Sequence, residues 1–550
     1  MFKVVLSTLT IFSIAFSLSA QLPSYTLVDS YDFNELDDLL DDLDIDPFFI
    51  SAAYEVDVYK ITYETPGPDG NLYLATGAML VPKNYTCPLP LAAYCHGTVH
   101  HATGVPSYGS DELTIGILFA TVGNVLVLPD YLGLGDSDLP YHPYVHGASQ
   151  SMTTINGLRT ARTLAEEIGY TMNGQLFLFG YSQGGHAAMS THKRIEEEFA
   201  NEFQVTASAP MSGPYDISGA QADVITSNQP YPTPGYLPYV MFAYNEVYDL
   251  FVEPEEILVA PYDQTLQPIF FDKTITMGGF NAACPSIPNQ ILQPQVLSDF
   301  QNDPDHFFRV ALRDNDVHDW LPQAPIHMFG CIGDDQVSYT NTENAYNNFI
   351  ANGATDIQKT DFGNFDHGGC VELSLLGGKF YFDSFYDLDN GMEFNFTVQP
   401  ESAPGAQDAS ITVQVSGGAG NFQYIWSTGS NTASADGLSD GQTVNLTVID
   451  DLGCERTESV VVDPTTDVFF ISAKNLNVFP NPAFDAVQIE LPKEEINADL
   501  RLWSSTGQLI RSFTLPNTDV LVLERADLPK GVYYIQITGE QAYQARIVWL

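Results

Sequence analysis

The sequence predicts an α/β fold with a largely parallel sheet, followed by two all-β modules, and three observations carry that reading. Short apolar runs recur between about Leu72 and Phe365, at residues 91–94, 125–128, 175–179, 207–211 and 326–329. Runs that are apolar throughout, and not merely on alternate positions, belong to strands covered on both faces, as in a parallel sheet. Between them, residues 151–168 and 186–199 carry apolar side chains at helical spacing with charged residues interleaved, the pattern of crossover helices. After about Asp389 the character changes. Lysine-poor, Gly/Ser/Thr-rich segments such as 410–415 and 443–449 alternate apolar and polar residues between turn signals, which is the period of half-buried strands.

Length agrees with several units, since 550 residues at about 150 per domain gives three or four. The N-terminus reads Met1-Phe2-Lys3, then an apolar stretch over 4–18, then Ser19-Ala20 before Gln21. That order of basic start, apolar stretch and small-residue cleavage site is that of a secretory signal, so residues 1–20 are expected to be removed. The stretch is short and interrupted by Ser7, Thr8, Thr10, Ser13 and Ser17, unlike a membrane anchor. The expected division is a catalytic domain over 21–389, an Ig-like β module over 390–464 and a last β unit over 475–550, with a break near 465–474.

Acidic residues number 69 against 20 basic ones, a net charge of −49. Such a balance argues against nucleic acid or anionic lipid as a partner. The densest acidic run, 35–46, lacks the Asp-x-Asp-x-Asp-Gly spacing of a calcium loop and reads as a solvated face. Six cysteines, Cys87, Cys95, Cys284, Cys331, Cys370 and Cys454, are compatible with disulfides in an exported chain. None forms a Cys-x-x-Cys pair, so no zinc or redox motif is supported. His96, His100 and His101 form a histidine-rich loop without clustered cysteine or carboxylate partners, so a structural or substrate-lining role is expected and no metal. His186 and His192 are expected to pack within their helix.

One motif carries chemistry. Gly180-Tyr181-Ser182-Gln183-Gly184 follows the apolar run 175–179 and precedes a helix beginning near Gly185. Gly-x-Ser-x-Gly between a strand and a helix lifts a serine hydroxyl out of a tight, strained turn, where neighbouring side chains would collide with the backbone. Serine is a weak nucleophile near neutral pH, so it needs a base within hydrogen-bond reach and an acid to orient that base.

His96-Gly97-Thr98, residues 127–135, His142-Pro143-Tyr144, residues 180–186, Asp334 and His367 together resemble the secretory lipase and esterase branch of the α/β-hydrolases, over roughly residues 54–376. The resemblance implies hydrolysis of acyl esters without a cofactor. Some relatives act on small aryl or plant-derived esters, and the branch borders peptidases. It also implies a triad in chain order serine, acid, histidine, and of eleven histidines only His367 lies beyond the acidic candidates Asp334 and Asp335. Asp334 is preferred as the acid because many relatives carry it three residues before a small apolar residue, here Val337, while Asp335 stays open. The expected oxyanion donors are the N–H of Gln183 and one from the earlier loop, Thr98 or Gly97. Residues 215–320 are long enough for a lid, and their aromatic residues, among them Tyr231, Tyr236, Tyr239 and Phe242, either line an acyl or aromatic pocket or pack the lid's own core.

The last unit resembles the type A sorting domain of the type IX secretion system of Bacteroidota, through residues 477–482, 505–508, 528–533 and a terminal apolar strand, with Arg546 where lysine is usual. This implies export through the periplasm and outer membrane, with the secretion machinery as partner and the cell surface or medium as destination. The middle module resembles adhesin-type repeats of the same bacteria, through residues 424–427 and 450–454, and is read as a spacer or a substrate tether.

Three functions fit these residues: an esterase or lipase acting on a small-molecule or lipid ester, a serine peptidase on the same scaffold, and a surface-binding protein with a vestigial hydrolase domain. The intact set Ser182, Asp334 and His367 disfavours the third. A working triad also demands that the loops of acid and base lie side by side, because the acid must bond the imidazole N–H that points away from Ser182. Cys331 stands three residues before Asp334 and Cys370 three after His367, so the two are expected to be disulfide-bonded.

Overall fold

Strand β1 (Ser24–Tyr31), helix α1 (Phe33–Asp42), strands β2 (Val56–Pro66), β3 (Leu72–Pro82) and β4 (Leu89–Cys95) open the chain. They are followed by α2 (Asp111–Ala120), β5 (Val125–Pro129), α3 (Gly147–Glu167), β6 (Met172–Tyr181), α4 (Gln183–Glu198) and β7 (Ala207–Met211). The computed structural model describes residues 23–43, 50–403 and 405–462, and between 474 and 549 all but 482, 484–485, 492–498, 505–508, 516–517, 519, 527 and 539–541. The expected signal peptide, Gln21, the end of the acidic run and the sorting-motif residues 482 and 505–508 lie outside the described residues.

After β7 the chain leaves the sheet for an α-helical insertion of α5 (Ala222–Ile225), α6 (Tyr236–Tyr248), α7 (Tyr262–Phe271), α8 (Met277–Ala282), α9 (Pro294–Asn302) and α10 (Phe307–Arg313). It returns through β8 (Ile326–Gly330), α11 (Thr340–Asn352), β9 (Ile357–Asp361) and α12 (Val371–Phe382). The sheet order is β1-β2-β3-β5-β4-β6-β7-β8-β9. From β5 to β9 every pairing is parallel. At the other edge β1, β2, β3 and β5 pair antiparallel, an edge that the apolar runs did not reveal. Its cause is local. Gly67 and Asn71 close a tight turn between β2 and β3, and strands joined by a short turn can only run antiparallel.

Alternate residues of the strands serve the two faces. Val125 and Val127 of β5 pack in the core that holds Ile155, Leu158 and Leu164 of α3. Leu126 and Leu128 pack with Leu113 and Ile117 of α2 and Phe382 of α12. Both faces are thus covered, which is why the parallel strands read as continuous apolar runs. The described part of the acidic run is not only a solvated face: Asp32 and Glu35 form a capping box at the start of α1, which buries Leu36 and Leu40 while its carboxylates stay outside.

Two three-stranded sheets make the middle module, around Phe394, Phe396, Ile411, Trp426, Leu446 and Val448. Cys87, just before β4, is disulfide-bonded to Cys454 of this module and belongs to the module's core. Among the described residues the last unit forms a five-stranded and a three-stranded sheet, and its Arg546 pairs with Asp383 at 2.9 Å, just beyond α12. Among the described residues no helix is long and apolar enough to cross a membrane.

Candidate active site

Ser182 stands between β6 and α4 with φ of 61° and ψ of −121°. A side chain at positive φ is strained, and the surroundings hold the turn in place: Ser182 N–H donates to Met211 O at 2.9 Å. The flanking glycines are there for space. A Cβ on Gly184 would come within 1.8 Å of Cys95 O, and one on Gly180 within 2.4 Å of Gly184 O, separations no real Cβ tolerates. Backbone therefore packs on backbone around the serine. Gln183 opens α4, so its N–H lacks a carbonyl one turn back to bond.

His367 lies on the loop between β9 and α12, and the loop after β8 carries Asp334. The His367 Nδ1 is 2.7 Å from Asp334 Oδ2. Asp334 Oδ1 accepts the N–H groups of Gln336 at 3.0 Å and Val337 at 2.8 Å, so the carboxylate is oriented before it meets the ring. Asp335 does something else: its Oδ1 accepts the backbone N–H of His367 at 3.2 Å. Tyr181 donates its hydroxyl to His367 O at 2.6 Å and packs its ring 5.0 Å from the imidazole. The Cys331–Cys370 disulfide, expected from the sequence, is formed, with Cα atoms 6.0 Å apart. With Nδ1 donating to Asp334, Nε2 keeps a lone pair. Among the described residues no hydrogen bond joins it to Ser182 Oγ; unliganded sites often hold this contact long until substrate binds.

The loop after β4 runs against the turn of Ser182. Its Gly97 N–H donates to Glu112 Oε1 at 3.3 Å, and the Thr98 hydroxyl bonds Tyr144 OH at 3.0 Å. Among the loop histidines, His101 Nδ1 accepts the N–H of Thr103 at 3.2 Å, and the other two are held by carbonyl oxygens: His96 lies 2.7 Å from Gly97 O and 3.2 Å from Asp130 O, and His100 2.8 Å from Ile275 O. The His100 contact ties the loop to the insertion. The sequence named His142 only within the family resemblance and gave it no role; its Nε2 faces the Gln183 side-chain amide at 2.9 Å. Burial pushes the His142 imidazole down to about 3, so the ring is neutral, donates from Nδ1 to Leu132 O and accepts from Gln183. His186 and His192 are both buried and hydrogen-bonded, to Asn315 O and to Ser208 respectively.

An apolar cavity reaches Ser182 and Gln183, with Ile217, Ile225, Leu237 and Val240 of the insertion along its wall. A second cavity, lined by Met241, Phe251 and Ile257, shares Thr226, Leu237, Phe300 and Phe308 with the first. The insertion's aromatic residues divide: Tyr236 lines the first cavity, Phe242 packs with Phe251 and Phe270 inside the insertion, and Tyr239 joins the insertion to the rest, stacking on Tyr144 at 4.3 Å and donating to Val99 O.

Among the described residues, Asp216, Asp316 and His318 bring one ligand atom each within 4.8 Å of one another at the root of the insertion. Their carboxylate oxygens are already engaged. Asp216 accepts from Gly219 N–H and the Asn344 amide, and Asp316 accepts from the N–H and hydroxyl of Ser218. The bonds from Ser218 to Asp316 close the two ends of the insertion on each other.

Residues 477–549 match the family model of the secretion system C-terminal sorting domain. Among solved structures, the rice cell wall degrading esterase LipA from Xanthomonas oryzae is 29% identical over 64% of this chain and 93% of its own, with a TM-score of 0.58. A putative hydrolase from Legionella pneumophila is 27% identical over 66% of this chain and 97% of its own, with a TM-score of 0.61. Candida antarctica lipase A in its closed state, 17% identical over 66% of this chain and 82% of its own at a TM-score of 0.50, shares the fold. No protein with a curated description matches the chain.

Proposed function

From an α/β-hydrolase fold that ends in a secretion sorting domain, we propose that this chain is an exported serine esterase that cleaves carboxylic esters with apolar acyl groups. One observation carries the reading: the strained Ser182 opens into an apolar cavity beside a histidine already paired with a buried aspartate. Two solved structures 27–29% identical to it, an esterase and a putative hydrolase, support the reading.

Ser182 Oγ attacks the ester carbonyl carbon and passes its proton to His367 Nε2. Asp334 holds the ring by Nδ1–H and offsets the imidazolium charge. The carbonyl oxygen, now an anion, is met by backbone N–H groups, that of Gln183 and one from the loop after β4. Collapse breaks the ester bond, and His367 returns its proton to the leaving alcohol. Water then attacks the acyl-enzyme by the same route, its proton going to His367 and on to Ser182, with the carboxylic acid released.

The cavity wall argues for the acyl side. Among the described residues that line it there is no Asp, Glu, Lys or Arg, so nothing there would capture the charged terminus of a peptide. An apolar chain entering it loses water at roughly 0.8 kcal/mol per methylene. The sorting domain supports delivery by the type IX machinery to the cell surface or the medium.

The deciding experiment is a panel of p-nitrophenyl esters of rising acyl length beside aminoacyl and dipeptidyl anilides. Ester turnover that rises with chain length, and disappears in Ser182→Ala, is expected. Anilide turnover without ester turnover would replace the esterase by the peptidase.

A further inference from the structure

We infer that Glu112 is a positioning residue for the second oxyanion donor and that this donor is the N–H of Thr98, a deepening that rests on the esterase reading above. Glu112 lies in the first turn of α2, outside every motif of the sequence. Its carboxylate reaches across to the loop after β4 and bonds it twice. Oε1 accepts the Gly97 N–H at 3.3 Å, and Oε2 accepts the Tyr94 hydroxyl at 2.5 Å. Tyr94 is itself buried in β4, so the loop's entry and its second residue are fixed to one side chain.

The other polar group of Gly97 is also taken. His96 Nδ1 is 2.7 Å from Gly97 O and Nε2 3.2 Å from Asp130 O; both partners are carbonyls, and in the tautomer that serves the shorter contact Nδ1 donates to Gly97 O. Tyr131 donates to His96 O at 3.1 Å. With its N–H given to Glu112 and its C=O to His96, Gly97 has no donor left for substrate. The next N–H along the loop, that of Thr98, has no acceptor among the described residues. It belongs to the same peptide unit as Gly97 O, so the hydrogen bond from His96 polarises it toward stronger donation. The loop's place beside the serine is set by close backbone packing: a Cβ on Gly184 would lie 2.9 Å from His96 O, and one on Gly97 3.8 Å from Tyr181 O.

A carboxylate suits this task because a charge-assisted hydrogen bond is shorter and roughly twice as strong as a neutral one. Freeing the Gly97 N–H would let the loop turn, and an oxyanion donor acts only when it is aimed beforehand at the place where charge develops.

The test uses the full chain with Glu112→Ala, Glu112→Gln and Tyr94→Phe, a soluble p-nitrophenyl ester, and a trifluoromethyl ketone that forms an oxyanion adduct on the serine. Glu112→Ala is expected to lower kcat about 10- to 100-fold with KM within about threefold, a partial loss of the effect of one oxyanion donor. Affinity for the ketone should fall in parallel while the thermal midpoint holds. Glu112→Gln keeps an acceptor for Gly97 and should recover most of kcat. Should Glu112→Ala fail to fold, Tyr94→Phe, which frees one carboxylate oxygen, should still lower kcat about fivefold.

A Glu112→Ala protein with wild-type kcat would overturn the inference while leaving the esterase reading intact. So would a kcat loss with unchanged ketone affinity, which marks a merely structural role. A wild-type protein that turns over no ester sinks the esterase reading and this inference with it.

Discussion

Cys331 and Cys370 are joined by a disulfide that ties the loop of Asp334 to the loop of His367, with Cα atoms 6.0 Å apart. The bond closes a sequence separation of 39, which the loop-entropy relation converts to about 4 kcal/mol of stability. It also holds the 2.7 Å contact between Asp334 and the imidazole. Cys331→Ala/Cys370→Ala is therefore expected to lower kcat by about tenfold at a temperature where far-UV circular dichroism is still native. Turnover that follows unfolding and never precedes it would reduce the bridge to a stability element.

Asp334 and Asp335 are adjacent in sequence but hold different parts of His367, one the ring and the other the backbone N–H. Asp334→Asn should cost about 10⁴ in kcat, because an amide disfavours the productive tautomer and cannot offset the imidazolium. Asp335→Asn should cost less than about tenfold, the loss of one hydrogen bond that places the loop. Steady-state kinetics on both variants separates them, and a reversed order would move the acid to Asp335.

Leu237 lines both cavities of the insertion, together with Thr226, Phe300 and Phe308. Leu237→Trp should fill space in both and lower turnover of p-nitrophenyl laurate by at least about tenfold, since a long chain would lose its methylene burial. p-Nitrophenyl acetate, with its two-carbon acyl group, should be turned over as before. Equal losses on both esters would place the acyl chain elsewhere.

Burial pushes the imidazoles of His142 and His327 down to about 3 and that of His186 to about 4, below the ordinary value near 6.5. The folded protein keeps these rings neutral, while the unfolded chain protonates them as soon as pH falls through about 6.5. Between there and about 3 to 4 the unfolded state binds more protons, so this part of the stability is fully present above pH 6.5 and is lost on acidification. Urea unfolding at pH 7 and at pH 4.5 should record the loss, and His327→Gln should flatten it. An unchanged slope in that variant would remove His327 from the account.

Catalysis should survive loss of the sorting domain, since Ser182, Asp334 and His367 all precede it. The disulfide from Cys87 to Cys454 makes the cut site matter. A chain ending at residue 462 keeps the bridge and should be active and stable. One ending at residue 389 leaves Cys87 unpaired and uncovers the apolar contact it makes with the module. Its kcat should stay within about twofold, with a thermal midpoint about 5 °C lower. Differential scanning fluorimetry beside the ester assay checks both, and an inactive but folded short form would place part of the chemistry in the module.

The sequence by itself determined what local sterics and periodicity encode. Apolar runs marked β4 to β8, because a strand covered on both faces does not alternate with solvent-facing polar residues, and the polar residues they do carry, such as Ser208 and His327, are buried and hydrogen-bonded. Gly180 and Gly184 around Ser182 announced the tight turn, because any larger residue there collides with a carbonyl already in place. The spacing to Val337 favoured Asp334 and left Asp335 open; only the tertiary structure decided which of the two meets the imidazole, since the N–H groups of Gln336 and Val337 orient Asp334 while Asp335 turns to the backbone of His367. The same holds for the antiparallel edge of β1 to β3, for the bridge from Cys87 to a cysteine 367 residues away, and for the reach of Glu112 to Gly97. Periodicity tells which face of an element is buried but not what covers it, because partners distant along the chain meet only once the whole sheet has closed around them.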